Sequence, residues 1–157
     1  MTLSQNFQLS EFVHSNVAAH LHIDNNPSAE VVDNLRHLCQ GVLQPLRDHL
    51  GQPVVVTSGY RCPRLNSAVG GVATSQHLRG EAADIRIPDT PVRLKDGTIG
   101  QRQDIAMARI WMQWIANHCP FDQLILEHNI AGRYWLHVSL RRDASRNRRQ
   151  IFDLLKK

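Results

Sequence analysis

Two histidines and one aspartate in this chain have side chains of the kinds that bind zinc. His77 and Asp84 lie in the run SQHLRGEAAD, residues 75–84, and His137 lies 60 residues after His77 in the run WLHVS, residues 135–139. A catalytic zinc ion is bound by three protein side chains, often through nitrogen or oxygen atoms, and its fourth coordination position stays open. We therefore expect one Zn2+ per chain, held by His77, Asp84 and His137, at a site where water is activated.

The three expected ligands need separate elements to bring them together. His77 and Asp84 are seven residues apart across Gly80, so they cannot share one face of a regular helix. We expect His77 on a loop, because Gly80 permits a sharp turn or a close approach to another backbone. Residues 82–87 are small and β-branched and predict a strand for Asp84, and the alternating residues 135–140 predict a strand for His137.

Four ordered segments between about residues 55 and 140 resemble the M15 family of zinc peptidases. The two ligand runs match the pattern Ser-x-His-x-x-Gly-x-Ala-x-Asp with a later Trp-x-His-Val-Ser. Residues 57–61 (TSGYR) resemble the Ser-Gly-Tyr-Arg segment of the family, and residues 121–127 (FDQLILE) resemble the strand before the last ligand. The resemblance is to the group of D-Ala-D-Ala carboxypeptidases and peptidoglycan endopeptidases, particularly its phage- and prophage-type branch.

This resemblance implies an activity and a fold. It implies a zinc metallopeptidase that hydrolyses peptide bonds in the stem or cross-bridge peptides of peptidoglycan, on a hedgehog and DD-peptidase type of fold. The alternative is a non-catalytic, zinc-containing module of the same fold that binds cell wall or belongs to a virion. A specific nucleic-acid-binding protein is supported only by the net charge of +4, since no recognition helix or aromatic platform motif is visible.

Glu127 is the expected general base of this chemistry, and His128 is the alternative. Glu127 ends an otherwise apolar strand in front of the strand of His137, where an unpaired carboxylate is costly. Some M15 branches have an acidic residue or a histidine two or three positions before the last ligand, but those positions here hold Trp135 and Tyr134.

The length of the hairpin loop distinguishes these two candidates. Side chains alternate between faces along a strand, so an odd-numbered loop puts Glu127 on the face of His137, and an even-numbered loop puts His128 there. We expect a loop of three, five or seven residues, or a β-bulge that gives the same parity.

Three further residues near the ligand runs are expected to handle the substrate. The resemblance implies that Arg61 lies close to the zinc, where its guanidinium would bind a peptide carboxylate or stabilise the oxyanion. The alternative for Arg61 is that it caps the turn at Pro63. Ser75 and Gln76 are expected to orient ligands or substrate, because no Ser-His-Asp order with a nucleophile elbow is visible.

The rest of the chain predicts an α+β fold with helices packed on a small, largely antiparallel sheet. Strands are expected at residues 54–57 and in a hairpin of residues 121–128 and 133–140. Apolar residues at three- and four-residue intervals predict helices over residues 31–50 and about 101–117.

Two helix starts are expected from capping residues. Ser10 is expected to cap a helix over residues 11–20. Asn26 followed by Pro27 is expected to begin the long helix.

The composition fits one domain over residues 1–157. The chain is 42% hydrophobic and 20% charged, which is ordinary for a globule with a real core. We expect a monomer without a membrane span. No signal peptide is visible, so we expect cytoplasmic synthesis and action on the wall after release or as part of a virion.

Cysteines and basic residues add two expectations. Cys39, Cys62 and Cys119 are widely spaced without a Cys-x-x-Cys pair, so they are expected to be reduced thiols. Much of the basic excess lies in residues 141–157, and there we expect a solvated tail helix or a surface that attracts an anionic polymer.

Overall fold

The structure is a computed structural model that describes residues 1–155. Its helices are α1 (Leu9–Val13), α2 (Asn16–His20), α3 (Ala29–Leu38), α4 (Gln44–Leu50), α5 (Pro63–Ala68) and α6 (Ile105–His118), with 3-10 turns at Gln76–Arg79 and Ala144–Arg146. Its strands are β1 (Thr2–Ser4), β2 (Phe7–Gln8), β3 (Val56–Ser58), β4 (Ala82–Arg86), β5 (Asp89–Arg93), β6 (Ile99–Gln103), β7 (Gln123–His128), β8 (Tyr134–Ser139) and β9 (Gln150–Asp153). No helix within the described range is long and apolar enough to cross a membrane.

The main sheet has the strand order β3-β4-β8-β7-β9. The first three pairings are antiparallel, and β9 joins the edge parallel to β7. The pairs β1–β2 and β5–β6 form separate two-stranded sheets. The expected α+β fold with a largely antiparallel sheet is confirmed.

The two faces of the main sheet differ in chemistry because side chains alternate along each strand. One face is fully buried under the helices and is lined by Ala83, Ile85, Leu124, Leu126, Leu136 and Val138. The opposite face carries Asp84, Ile125, Glu127, Trp135 and His137, which line a cleft. The apolar face therefore holds the sheet on the core, and the polar face is left for chemistry.

A nearly continuous helical segment covers the apolar face of the sheet. Helix α3 runs into a π-helical turn at Cys39–Leu43 and then into α4. Leu35, Leu38, Val42 and Leu46 on this segment are completely buried, as their three- and four-residue spacing predicts. The expected long amphipathic helix is thus present, with one widened turn in it.

Two predicted helix starts were wrong. The segment expected to be one helix over residues 11–20 is divided into α1 and α2, because the chain is extended at Ser15. The Ser15 hydroxyl caps α2 by accepting a hydrogen bond from the backbone N–H of Ala18. Helix α1 begins after Gln8, which forms a capping box with Glu11. Ser28 rather than Asn26 caps α3, by accepting a hydrogen bond from the backbone of residue 31.

Two other segments differ from expectation. Residues 101–103 belong to β6, and α6 begins after Asp104, whose carboxylate accepts a hydrogen bond from the backbone of Met107. The basic C-terminal segment contains a 3-10 turn and strand β9 instead of the expected tail helix. Lys156 and Lys157, which belong to that expectation, lie outside the described residues.

Candidate metal centre and its cleft

His77, Asp84 and His137 converge at one place on the polar face of the sheet. Asp84 on β4 lies directly opposite His137 on β8, and its Oδ1 is 3.0 Å from Nδ1 of His137. The same oxygen is 3.4 Å from Nε2 of His77, which enters from the 3-10 turn. The side chains of His77, Asp84 and His137 are 3%, 15% and 11% exposed.

His77 is held in one orientation by the backbone of the segment before α5. Its Nδ1 lies 2.6 Å from the carbonyl oxygen of Gly59, which can only accept a hydrogen bond. Nδ1 must therefore carry the proton, and in the neutral ring Nε2 presents its lone pair toward Asp84. A metal-binding histidine is commonly fixed in this way through its other nitrogen.

Gly80 allows the 3-10 turn that carries His77 to meet strand β4. Its φ is +72°, in the left-handed region that glycine adopts without a steric penalty. A Cβ at this position would lie 2.8 Å from the carbonyl oxygen of Val31 and 3.1 Å from Leu35 Cγ. The sharp turn and the close backbone approach expected from the sequence are both present.

The two imidazoles determine the charge state of Asp84. Burial by itself acts to raise the pKa of this carboxyl group. When the two imidazoles are protonated, the hydrogen bonds and positive charge that they provide outweigh this effect and hold the pKa well below its usual range. Asp84 is therefore an anion, as a metal ligand must be.

These three residues fit a small divalent cation. Their candidate donor atoms all lie within 4.8 Å of one another. Ligands about 2.0 to 2.2 Å from a tetrahedral zinc are about 3.3 to 3.6 Å apart. The 3.4 Å between Asp84 Oδ1 and His77 Nε2 falls in this range, and the 3.0 Å between Asp84 Oδ1 and His137 Nδ1 is slightly shorter. Two imidazoles and one carboxylate also suit zinc in chemical type.

The hairpin β7–β8 puts Glu127 on the same face as His137. Ile125 pairs with His137 and Glu127 pairs with Trp135, so the paired residue numbers have an even sum. The loop between the strands covers the five residues 129–133, and the strand pairing has no bulge. The expected odd-numbered loop is confirmed, and Glu127 lines the cleft beside the ligands.

Arg61 is also in this cleft. Its Nη2 lies 3.4 Å from Ser75 Oγ, and its buried Nε has no hydrogen-bond partner among the described residues. Burial lowers the pKa of Arg61, and the negative charges of Asp84 and Glu127, which line the same cleft, act to raise it. The Cys62 side chain, not Arg61, caps helix α5.

Ser75 and Gln76 occupy the base of the turn that carries His77. Ser75 Oγ accepts a hydrogen bond from the backbone of His77 and thereby caps the turn. Gln76 is buried, donates through Nε2 to Glu81, and leaves its Oε1 without a partner among the described residues. Ser75 thus positions His77 and Arg61, and both Ser75 and Gln76 line the cleft.

The cleft has a volume of about 650 Å3 and is rich in arginine. Sequence reasoning placed only Arg61 in it. The arginines that line it are Arg61, Arg79, Arg141, Arg146 and Arg148. Residues 137, 139 and 141 alternate along the chain, so the sequence pattern that puts His137 on one side of β8 could also have predicted Arg141 on that side.

Comparison with known proteins shows the family of this chain. Residues 5–98 match the Peptidase M15 family, so this chain belongs to that family. No curated protein matches the chain at a significant level. The family match includes His77 and Asp84 but ends before Glu127 and His137, whose association with the site comes from the sheet register.

Proposed function

We propose that this M15 peptidase is a zinc enzyme that hydrolyses peptide bonds in the stem or cross-bridge peptides of peptidoglycan. The observation that carries the proposal is the convergence of His77, Asp84 and His137 beside Glu127 in an open cleft. Membership of the M15 family supports peptidase activity. The arginine-rich lining supports an anionic substrate, such as the acidic peptides of the wall.

His77 through Nε2, Asp84 through Oδ1 and His137 through Nδ1 would hold the metal. A zinc ion bound there would act as a Lewis acid that polarises the scissile carbonyl and acidifies water. The Gly59 carbonyl keeps the proton on Nδ1 of His77, and Asp84 remains ionised between the two imidazoles. The chain therefore supplies the donor atoms without a further protonation change at Asp84 or a change of tautomer at His77.

Glu127 is the proposed general base. Its carboxylate faces the cleft two residue pairs along the ladder from His137, and it makes no hydrogen bond or ion pair with any other residue in the described range 1–155. It is thus free to accept a proton from water that attacks the peptide carbonyl. The same group then returns the proton to the nitrogen of the leaving amine, which balances the hydrolysis.

Arg61 is proposed to bind the oxygen atoms of the substrate near the scissile bond. Its buried and unpartnered Nε and its place in the same cleft as Asp84 and Glu127 support this assignment. A guanidinium in a partly dry site binds a carboxylate or a developing oxyanion more strongly than it would in water. Ser75 holds its other end through the contact with Nη2.

The direct test is digestion of purified peptidoglycan followed by mass spectrometry of the muropeptides. We expect new amine and carboxylate termini with zinc-loaded protein, none after treatment with a chelator, and recovery on adding zinc back. The bond that is cut identifies the enzyme as a carboxypeptidase or an endopeptidase. Protein that binds one zinc but releases no new amine would instead support the non-catalytic wall-binding or virion module.

A further inference from the structure

We propose that Arg141, Arg146 and Arg148 form a distal arginine subsite that binds a substrate carboxylate several residues away from the scissile bond. The inference rests on the proposed function, because it concerns the substrate of the same cleft. It predicts that the enzyme selects peptides with a free acidic side group over the same peptides with that group amidated.

The distal arginine subsite is in the cleft of the metal centre but at another end of it. All three arginines line the cleft together with His77, Asp84 and His137. Along β8 the face continues from His137 through Ser139, and the chain then reaches Arg141. Four residues of extended chain span about 13 Å, so the subsite is well separated from the metal ligands.

Two of the three arginines are fixed by a buried carboxylate. Asp122 is fully buried, and its two oxygens accept hydrogen bonds from Arg148 Nε at 3.0 Å and Nη2 at 2.7 Å. Arg141 Nε donates to the same carboxylate at 3.3 Å. The Asn147 side chain bonds both the backbone N–H and the carbonyl of Arg141. The guanidinium groups are therefore preorganised, which lowers the entropy cost of binding a ligand.

The subsite has more positive charge and more donors than Asp122 uses. Arg141 and Arg148 share the carboxylate of Asp122, and the charge of Arg146 acts on Asp143, so three guanidinium groups stand against two carboxylates and positive charge is in excess. Each guanidinium has five N–H donors, of which Arg148 gives two to Asp122 and Arg141 gives one. Arg146 is exposed, and its side chain makes no hydrogen bond within residues 1–155. The free donors match a planar carboxylate, which arginine binds in a bidentate geometry.

The distal arginine subsite and Arg61 lie at different distances from the scissile bond, so they would bind different groups of the substrate. The terminal carboxylate of a carboxypeptidase substrate is one residue, roughly 3.5 Å, from the scissile bond. Arg61 lies beside His77, because its backbone N–H donates to the His77 carbonyl at 3.0 Å and its Nη2 is 3.4 Å from Ser75 Oγ, so it is close enough for such a group. The distal arginines instead reach an internal acidic residue of a longer peptide.

The test compares two synthetic stem peptides that differ at one group. One contains γ-linked glutamate with a free α-carboxylate, and the other carries the amide at that carboxylate. We expect zinc-loaded wild-type protein to prefer the free acid in kcat/KM, and Arg146→Gln to reduce that preference about five- to tenfold. Arg146 is the residue to change because its side chain is exposed and supports no buried group.

Arg142→Gln is the matched control. Arg142 is exposed, belongs to the same segment and does not line the cleft. This variant should keep the wild-type preference for the free acid. An equal loss in Arg142→Gln, or no preference in wild-type protein, would overturn the proposal, because only general surface charge would then be at work.

A failure of the proposed function gives a different result. If the wild-type protein cuts neither peptide, the preference is measured as the ratio of the two dissociation constants by isothermal titration calorimetry. An Arg146-dependent ratio without cleavage supports the subsite and rejects the peptidase activity on these peptides. A ratio of one in wild-type protein rejects the subsite whether or not cleavage occurs.

Discussion

The carbonyl oxygen of Gly59 lies 2.6 Å from Nδ1 of His77, and the backbone of Gly59 is itself pressed against helix α1. A Cβ at residue 59 would lie 2.6 Å from the carbonyl oxygen of Phe12 and 2.7 Å from its Cα. Tyr60 N–H donates to that same Phe12 oxygen at 2.7 Å. Packing at the N-terminal end of the chain therefore controls the orientation of one candidate metal ligand.

We expect Gly59→Ala to weaken zinc binding and to destabilise the fold by about 1 to 3 kcal/mol, because backbone atoms must move to make room for the methyl group. Zinc titration and urea unfolding of the same samples measure the two effects. Gly100→Ala is the control, since its Cβ would meet only the Leu94 side chain, at 3.1 Å, away from the cleft. Wild-type zinc affinity in Gly59→Ala would show that the Gly59 carbonyl does not position His77.

The metal-ligand proposal predicts that Asp84→Ala and His137→Ala lose both zinc and activity. Each variant removes one of three donors and leaves two, which is too few for a catalytic site. Metal analysis by mass spectrometry after dialysis gives the zinc content, and circular dichroism checks that the fold is retained. A variant that keeps one zinc per chain and wild-type turnover would remove its residue from the site.

The assignment of the general base predicts a different result for Glu127→Ala. This variant should keep zinc and lose about a hundred- to ten-thousand-fold in kcat, the usual contribution of a general acid or base. His128→Ala should have nearly wild-type activity, because residues 127 and 128 point to opposite faces of β7. The reverse result for the two variants would transfer the role to His128.

Asp122 predicts a pH dependence of stability that is separate from the metal centre. Burial acts to raise its pKa, but the hydrogen bonds from Arg148 and Arg141 outweigh this and hold the pKa well below its usual range. A carboxyl group whose pKa is lowered in the folded state stabilises the protein above its unfolded pKa, about 3.9, and loses that contribution as the pH falls further.

We therefore expect Asp122→Asn to lower the free energy of unfolding by about 2 to 3 kcal/mol at pH 7. This loss of stability is smaller than for a fully buried ion pair, because the Arg148 side chain is 43% exposed. The difference from wild type should shrink below about pH 4, because Asp122 then takes up a proton in the unfolded state while it is still ionised in the folded state. Urea unfolding across pH 2.5 to 7 measures it, and a constant difference would mean that Asp122 acts through packing alone.

Much of the fold follows from local patterns in the sequence. The alternation in β4, β7 and β8 and the three- and four-residue spacing of Leu35, Leu38, Val42 and Leu46 predicted the elements that the structure contains. The odd-numbered hairpin loop was predicted for the same reason, because the parity of the loop fixes which side chains share a face. Reduced cysteines were predicted from spacing, and Cys39, Cys62 and Cys119 are all free thiols.

Competing local signals account for the errors. Ser10 and Asn26 are good helix caps by residue type, but Gln8 with Glu11, and Ser28, take those positions in the structure. Several nearby residues can cap a helix at a similar free energy, so packing of the chain decides among them. The arginines of the distal subsite were expected on a solvated tail helix or on a surface that attracts an anionic polymer, and their ion pairs were not predicted because Asp122 lies 19 and 26 residues away from Arg141 and Arg148.

The sequence by itself determined the kinds of candidate ligand, their order along the chain and the face of each strand on which they lie. These properties depend on residue type and on a periodicity of two, which are local. Only the tertiary structure decided that Asp84 and His137 are directly paired and that the Gly59 carbonyl fixes the ring of His77. It also decided that Asp122 binds Arg141 and Arg148 at one end of the cleft. Those relationships join residues far apart in the chain, so they depend on strand register and on the requirement that buried polar groups find partners.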